Sequence, residues 1–323
     1  MKNYLAITAL GLASVTTAAT IATTAQAQSV SFSTGPAEVI NPGLISCSTR
    51  GSRVSALGRI TADDGSEWVV PAPVNFETAP KAADLFNQCG GTQLTSISEL
   101  DVNTVDVVDL GGSEIFTAYI FADNYFELYV NGKMIAVDPV VFTPFNSNVV
   151  RFKADRPFSM AVMGVDWEEN LGLGSENNRG KAYHPGDAGF LMLVDDAAGN
   201  NVALTDAGWK AQTFYTAPLN TRDCLVIDGA NWDSSACSTE SVSDGTGYSA
   251  AHWALPEAWQ ASEFDDSAWP DAVTFSNDTV GVDNKTAYTN FYELFDNKEA
   301  DAQFIWSSNL VLDNLVLLRT TVE

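Results

Sequence analysis

The clearest pattern in the chain is a two-residue alternation between Ala122 and Lys133. One face of this stretch is apolar and the other combines tyrosine with glutamate: Phe126, Leu128 and Val130 against Tyr125, Glu127 and Tyr129. A period of two predicts a half-buried β-strand. The Asn131-Gly132 pair that follows favours positive φ at both residues, which predicts a type I′ hairpin turn.

Short apolar runs with turn residues between them continue on both sides of this hairpin. They lie at residues 116–121, 134–137, 149–153, 159–165, 189–194, 304–306 and 315–319. Residues 160–165 are apolar on both faces, which predicts a central strand, and a turn is expected near Asp313. Regularly spaced short strands predict an all-β fold, an antiparallel β-sandwich over residues 113–323 with loop insertions.

The preceding part of the chain, residues 28–112, has shorter and more mixed signals. Ser29–Phe32 and Glu67–Val70 are predicted strands, and Ala79–Gln88 is predicted to form one short helix. We expect this part to form a smaller N-terminal lobe that leans on the sandwich.

The first 27 residues have the pattern of a secretory signal peptide. A short basic start is followed by a mostly apolar run to Ala22 and by Ala25-Gln26-Ala27, an A-x-A cleavage pattern. The alternative is an N-terminal membrane anchor. Cleavage after Ala27 predicts a secreted, periplasmic or cell-surface protein without membrane insertion.

The charge of the chain excludes several partners. With 41 acidic and 16 basic residues, the formal net charge is −25. Such a balance repels nucleic acid and anionic lipid. It is compatible with divalent cations, with high salt, or simply with high solubility.

Four cysteines lie at positions 47, 89, 224 and 237. In an exported chain an even number predicts disulfides, and Cys47–Cys89 with Cys224–Cys237 is the most local of three connectivities. Zinc is the alternative, but the chain has no C-x-x-C pair and only His184 and His252 as further ligands.

Three segments together resemble a known family. They are A-D-N-Y-F-E-L-Y-V-N-G at 122–132, F-D-D-S-A-W-P at 264–270, and F-I-W with V-L-L-R between 304 and 319. They resemble galactose-binding-like β-sandwich domains, jelly-roll modules attached to glycoside hydrolases such as rhamnosidases. The resemblance covers roughly residues 113–323. The order of the segments departs from the commonest arrangement, which leaves open an inserted, permuted or second partial sandwich.

The resemblance implies a jelly-roll fold and structural roles for its motif residues. The residues with implied scaffold roles are Tyr129, Asn131, Gly132 and Trp269. Asp265 and Asp266 would turn the loop before Trp269.

An acidic loop after residue 165 resembles a calcium-binding loop. Asp166, Glu168 and Asn170 occupy alternate positions, as in D-x-[DN]-x-[DN], and Glu176 lies near the end of the pattern. These four residues are the candidate ligands of a structural Ca²⁺. The alternative is a solvated acidic loop. Asp123 and Asn124 are a second, weaker candidate.

Two aromatic loops are candidates for ligand binding. The candidate residues are Trp167, Arg179, Tyr183, His184, Asp187, Trp253 and Trp259. Exposed rings of Trp167 and Trp259 would stack on sugars, while Arg179 and Asp187 would hydrogen-bond hydroxyl groups. Packing in the core or at the sandwich edge is the alternative for each tryptophan.

The sequence therefore predicts an exported, non-catalytic recognition or adhesion protein with glycan as its ligand. A cell-surface structural protein that binds proteins or self-associates is the first alternative. A hydrolase of unrecognised type, with Glu168 and Asp187 as a carboxylate pair, is the second. No G-x-S-x-G motif or phosphate-binding glycine loop is present in the sequence.

Overall fold

The structure is a computed structural model that describes residues 29–47, 53, 55–142, 145–176, 183–240 and 247–323. These residues are 43% strand and 9% helix, and their antiparallel sheets pack as a sandwich. The predicted all-β antiparallel sandwich is confirmed, whereas its jelly-roll identity remains a prediction. The expected signal peptide, residues 1–27, lies outside the described residues. Within the described ranges, no helix is long and apolar enough to cross a bilayer.

Strands and helices are numbered in chain order. The strands are β1 Ser31–Thr34, β2 Glu38–Asn41, β3 Leu57–Thr61, β4 Glu67–Val70, β5 Ala83–Asn87, β6 Val107–Asp109, β7 Glu114–Asp123, β8 Tyr125–Val130, β9 Lys133–Val137, β10 Asn146–Ala154, β11 Phe158–Val165, β12 Gly189–Asp196, β13 Asn201–Leu204, β14 Lys210–Leu219, β15 Val226–Asp228, β16 Asn231–Asp233, β17 Ser249–His252, β18 Val273–Phe275, β19 Phe304–Trp306 and β20 Asp313–Val322. The α-helices are α1 Asn277–Val280, α2 Thr286–Thr289 and α3 Tyr292–Phe295. Single 3₁₀ turns lie at Ile97–Glu99, Val102–Thr104, Arg222–Cys224 and Val282–Asn284.

Two large sheets form the body of the protein. In the described part of the chain, the first has the order β1-β17-β14-β20-β11-β8-β9 and the second β18-β19-β12-β7-β10-β5, with β13 beside β12 and β6 beside β10. A small sheet β2-β3-β4 and the hairpin β15-β16 lie apart from them. β11 lies between β20 and β8 and is buried along its whole length, which confirms the predicted central strand.

The hairpin between β8 and β9 has the predicted turn. Asn131 and Gly132 have φ values of 48° and 76°, so both adopt the left-handed conformation that a type I′ turn requires. Asn131 Oδ1 also accepts the Ser159 N–H at 3.0 Å, which ties the turn to the start of β11.

The prediction that β8 is half-buried is wrong, because all six of its residues are buried. Phe126 and Leu128 pack in the core between the large sheets. On the other face Glu127 is fully buried and accepts hydrogen bonds from Tyr125, at 3.1 Å, and Tyr129, at 2.8 Å. Asn75, from the N-terminal part, donates its backbone N–H and its side-chain amide to the same carboxylate. A satisfied carboxylate is therefore part of the core here.

Strand pairing crosses the boundary predicted between residues 112 and 113. β1 pairs with β17 in the first sheet, while β5 and β6 both pair with β10 in the second. The predicted helix at Ala79–Gln88 is wrong, because residues 83–87 form the strand β5. This segment pairs with β10, and that pairing outweighs the local preference of the sequence for a helix.

Both predicted disulfides are present, Cys47–Cys89 and Cys224–Cys237, with Cα atoms 5.1 and 5.0 Å apart. The described residues contain no free cysteine. Two disulfides indicate an oxidising compartment outside the cytoplasm.

Candidate functional site

The acidic loop begins where β11 ends and is held against β20. Asp166 donates its backbone N–H to the carbonyl of Asn314 at 2.9 Å, and Trp167 donates its own to Asn124 Oδ1 at 2.6 Å. The chain then reverses, with the Asn170 N–H bonded to the Ser175 carbonyl at 2.9 Å. These bonds place the residues after β11 over the ends of β14 and β20.

Three of the four predicted metal ligands line one small cavity. Asp166, Glu168 and Asn170 surround a space of about 10 Å³, together with Tyr215 of β14 and Asn314 of β20. Gly174 is also in its wall, at a φ of 51°, and a Cβ there would overlap the Asn314 amide. The loop can approach β20 this closely because residue 174 is a glycine.

The fourth predicted ligand, Glu176, lies elsewhere. Its carboxylate pairs with Arg53 and lies 3.7 Å from His184 Nε2. Its backbone exchanges two hydrogen bonds with His184, of 2.7 and 3.1 Å. Glu176 therefore joins the two arms of the loop, and its carboxylate is paired with Arg53 and lies near the His184 imidazole.

The carboxyl groups at the cavity are strongly desolvated. Asp166 is 2% exposed and Glu168 4% exposed. Burial, and then the negative charge of neighbouring carboxylates, raises the pKa of both groups well above the usual values. Burial also raises the pKa of Asp123, which is 4% exposed at the end of β7. A group of buried acids this close together needs protons or a cation to be stable.

The three tryptophans predicted to bind ligand are core residues in this structure. Trp167 is 0% exposed, Trp253 2% and Trp259 6%. Trp167 packs edge-on against Tyr125, Trp253 stacks on Trp232, and Trp259 packs edge-on against Tyr129. Rings without an exposed face cannot stack on a sugar from solvent, so the structure gives these residues a packing role.

The remaining predicted ligand residues are more accessible. Tyr183, His184 and Asp187 are half-buried, and Arg179 lies outside the described residues. Burial raises the pKa of Asp187, while the charge of Lys285 opposes the rise. Asp187 does not line the cavity of Glu168, so the described geometry does not bring the suggested carboxylate pair together at one pocket.

A larger opening lies at the other edge of the sandwich. It is a groove of about 550 Å³ between β5, β10 and the two 3₁₀ turns at residues 97–104. Half-buried apolar residues form part of its lining: Leu94, Leu100, Val105 and Val108. Charged residues line it as well: Lys81, Asp84, Glu99, Asp101, Asp106 and Arg151.

The groove has a fixed guanidinium group on one side. Arg151 Nη1 donates to the carbonyls of Val102, at 2.9 Å, and Val105, at 3.4 Å, and so holds the second 3₁₀ turn against β10. Its Nε has no acceptor within the described residues. Burial raises the pKa of Asp84, whereas hydrogen bonds from Thr95 lower the pKa of the exposed Glu99.

Sequence reasoning missed this groove because its residues lie on both sides of the predicted domain boundary. It also missed Asn314, which was expected in a turn and instead belongs to β20. The available signal was a pair of polar residues, Asp313-Asn314, at the start of a long apolar run.

Comparisons with known proteins identify no relative: no family model, no curated protein and no solved structure matches the chain. The fold defines the protein as an all-β sandwich with two disulfides. Its resemblance to galactose-binding-like domains remains a prediction.

Proposed function

We propose that the protein is an exported, non-catalytic recognition module that binds a glycan in the groove beside β10. The observation that supports this function is the composition of the groove, whose lining combines apolar residues with hydrogen-bonding side chains. Sugars present the same combination, because their rings have apolar C–H faces and their edges have hydroxyl groups. A volume of about 550 Å³ lies within the ordinary range for small-ligand sites.

The charge of the groove narrows the class of glycan. Four carboxylates against two cations leave it acidic, on a chain whose net charge is −25. Anionic glycans, such as sulfated or uronic acid polymers, are repelled by this field. Neutral and amino sugars are favoured, with carboxylates accepting hydrogen bonds from hydroxyl or ammonium groups.

The proposal requires binding to depend on the groove and not on the aromatic loops. Thr92→Trp places a large ring in the groove at an exposed position, and Asp106→Asn removes one exposed carboxylate from its rim. Thr61→Trp on β3 and Asp228→Asn on β15 are the matched controls, since both residues are exposed and lie outside the groove.

The experiment is a glycan array followed by titration of the best neutral or amino-sugar ligand. We expect Thr92→Trp to weaken binding about tenfold or more, which is about 1.4 kcal/mol, and the two controls to bind like the wild type. Absence of any retained neutral or amino-sugar glycan contradicts the proposal, as does undiminished binding by Thr92→Trp. Release of reducing ends from a retained glycan contradicts the non-catalytic assignment.

A further inference from the structure

The small cavity beneath the acidic loop contains more hydrogen-bond acceptors than donors. Four oxygens from its lining residues are buried and have no hydrogen-bond partner among the described residues: the acceptors Asp166 Oδ2, Glu168 Oε2 and Asn314 Oδ1, and the Tyr215 hydroxyl. The single proton of that hydroxyl can satisfy only one of the three acceptors. Asp166, Glu168, Asn314 and Tyr215 are 2%, 4%, 0% and 3% exposed. Such unsatisfied buried acceptors are rare in folded proteins, and each one has a cost in stability.

Neighbouring hydrogen bonds fix the orientation of two of these groups. The Asn314 side-chain amide donates through Nδ2 to the Ala217 carbonyl at 2.9 Å, so its oxygen is left as an acceptor. Glu168 Oε1 accepts the Gly186 N–H at 2.5 Å, so Oε2 is the oxygen without a partner. Both orientations depend on contacts made outside the cavity.

Among the residues that the structure describes, no basic side chain lines the cavity. Arg53 forms ion pairs with Glu169, at 3.7 Å, and with Glu176. It affects Glu168 only by electrostatic attraction over a longer distance. Two buried carboxylates that line one cavity without a positive partner among the described residues repel each other. A cation or protons must balance them.

We propose that this cavity is a calcium site in which Asp166, Glu168 and Asn314 supply the side-chain oxygens. All three are hard oxygen donors, which Ca²⁺ and Mg²⁺ prefer, and two carboxylates match the charge of a divalent ion. Mg²⁺ usually keeps several of its waters, and a cavity of about 10 Å³ has room for about one. Ca²⁺, which exchanges its waters for protein oxygens more readily, is therefore the better fit.

This ligand set differs from the one expected from the sequence. Glu176 is replaced by Asn314 from the other end of the chain, and Asn170 lines the cavity while its Nδ2 donates to Ser175 Oγ at 3.2 Å. The described residues contain no group of three or more His, Cys, Asp or Glu side chains placed to hold a metal ion. The proposed site needs only two carboxylates, because an amide oxygen is the third donor. A bound cation would link the loop after β11 to β20.

The test is thermal unfolding of the full mature chain, stripped with chelator and titrated with CaCl₂ or MgCl₂. A ligand that binds only the folded state raises the Tm. At a hundredfold excess over the dissociation constant we expect a rise of about 5 °C with Ca²⁺, and a smaller rise with Mg²⁺. Calorimetric titration should give one Ca²⁺ per chain.

Two isosteric variants and a matched control make the test specific. Asp166→Asn and Glu168→Gln should each lose the Ca²⁺-dependent rise in Tm. Asp138→Asn should keep it, because Asp138 is also a buried acid, 1% exposed, but does not line this cavity. Terbium emission excited through tryptophan is a second readout, since Trp167 lies between Asp166 and Glu168 in the chain. Added Ca²⁺ should displace the bound terbium and so lower this emission.

The proposal is overturned if about 10 mM Ca²⁺, roughly ten to a hundred times the dissociation constants of weak extracellular sites, leaves the wild-type Tm unchanged. It is also overturned if Asp166→Asn and Glu168→Gln retain the full shift. An equal shift with Mg²⁺ contradicts the assignment to calcium. If Asp166→Asn raises the Tm while Ca²⁺ has no effect on the wild type, protons and not a cation balance the cavity.

Discussion

Asp166 and Asn314 are joined by a hydrogen bond of 2.9 Å from the backbone N–H of the first to the carbonyl of the second. This bond fixes the start of the acidic loop on β20, and the side chains of both residues line the same cavity. The architecture of the sandwich therefore determines the proposed cation site. Two of its proposed ligands, Asp166 and Glu168, come from the acidic loop, and the third, Asn314, comes from near the end of the sequence.

The stability of the cation-free protein should increase on mild acidification. Asp313 is fully buried and accepts hydrogen bonds from four hydroxyl groups, those of Thr213, Thr216, Ser234 and Ser307. Burial outweighs these bonds and raises the pKa of Asp313 from 3.8 to about 6. Since the folded chain then binds the proton more tightly than the unfolded chain, the free energy of unfolding falls as pH rises through this window.

The expected size of this effect is about 3 kcal/mol at most for Asp313 alone, between pH 4 and pH 7. The raised pKa values of Asp166 and Glu168 act in the same direction, with Asp123, Asp187, Glu176 and Arg53 as the charged groups around them. Urea unfolding of the chelator-stripped wild type and of Asp313→Asn at several pH values measures the pH dependence of the free energy of unfolding. Identical pH dependence in the two proteins contradicts the role given to Asp313.

Arg319 should be among the residues most sensitive to a conservative change. It is 3% exposed and donates to the Asp266 carboxylate at 2.7 Å, to the Ala261 carbonyl at 3.0 Å and to the Trp259 carbonyl. A lysine cannot serve three acceptors arranged around a planar guanidinium group. We expect Arg319→Lys to lower the free energy of unfolding by about 2–4 kcal/mol.

The matched control for that variant is Arg156→Lys. Arg156 pairs with Glu114 at 2.5 Å, but about a third of each side chain is exposed. Such a surface pair contributes about 0–1 kcal/mol. Chemical denaturation of both variants tests the comparison, and equal losses of stability would show that Arg319 is not a buried anchor.

Trp253 should matter for stability and not for ligand binding. Its ring stacks on Trp232 with centroids 4.5 Å apart and is 2% exposed. We expect Trp253→Ala to lower the free energy of unfolding by about 3–5 kcal/mol. Glycan retention per folded molecule should not change. The control is Tyr292→Ala, at a residue 38% exposed, which should lose less than about 1 kcal/mol. A stable Trp253→Ala protein that has lost glycan binding would contradict this assignment.

Local sequence signals were sufficient for the elements whose form depends on their own residues. The Asn131-Gly132 turn, the doubly apolar β11 and the two disulfides are of this kind. Turn geometry and strand periodicity are encoded over a few residues. The cysteine pairing was predicted because pairing neighbours along the chain closes the shortest loops, which costs the least entropy.

Predictions failed where a distant segment decides the environment. Glu127 was expected at the surface of a half-buried strand, but it is fully buried and accepts hydrogen bonds from the distant Asn75. The segment at 83–87 becomes a strand because β10 offers an edge. For the site, alternation identified Asp166, Glu168 and Asn170, whereas nothing in the sequence near Asn314 placed it beside them. Tryptophan identity alone did not reveal that Trp167, Trp253 and Trp259 are buried.

The most direct test of the proposed site is a crystal structure from calcium-containing solution with anomalous diffraction data. We predict one anomalous peak in the cavity, about 2.3–2.6 Å from side-chain oxygens of Asp166, Glu168 and Asn314. A cavity with water or no density, and with the two carboxyl groups hydrogen-bonded to each other or to the Asn314 amide oxygen, would contradict it.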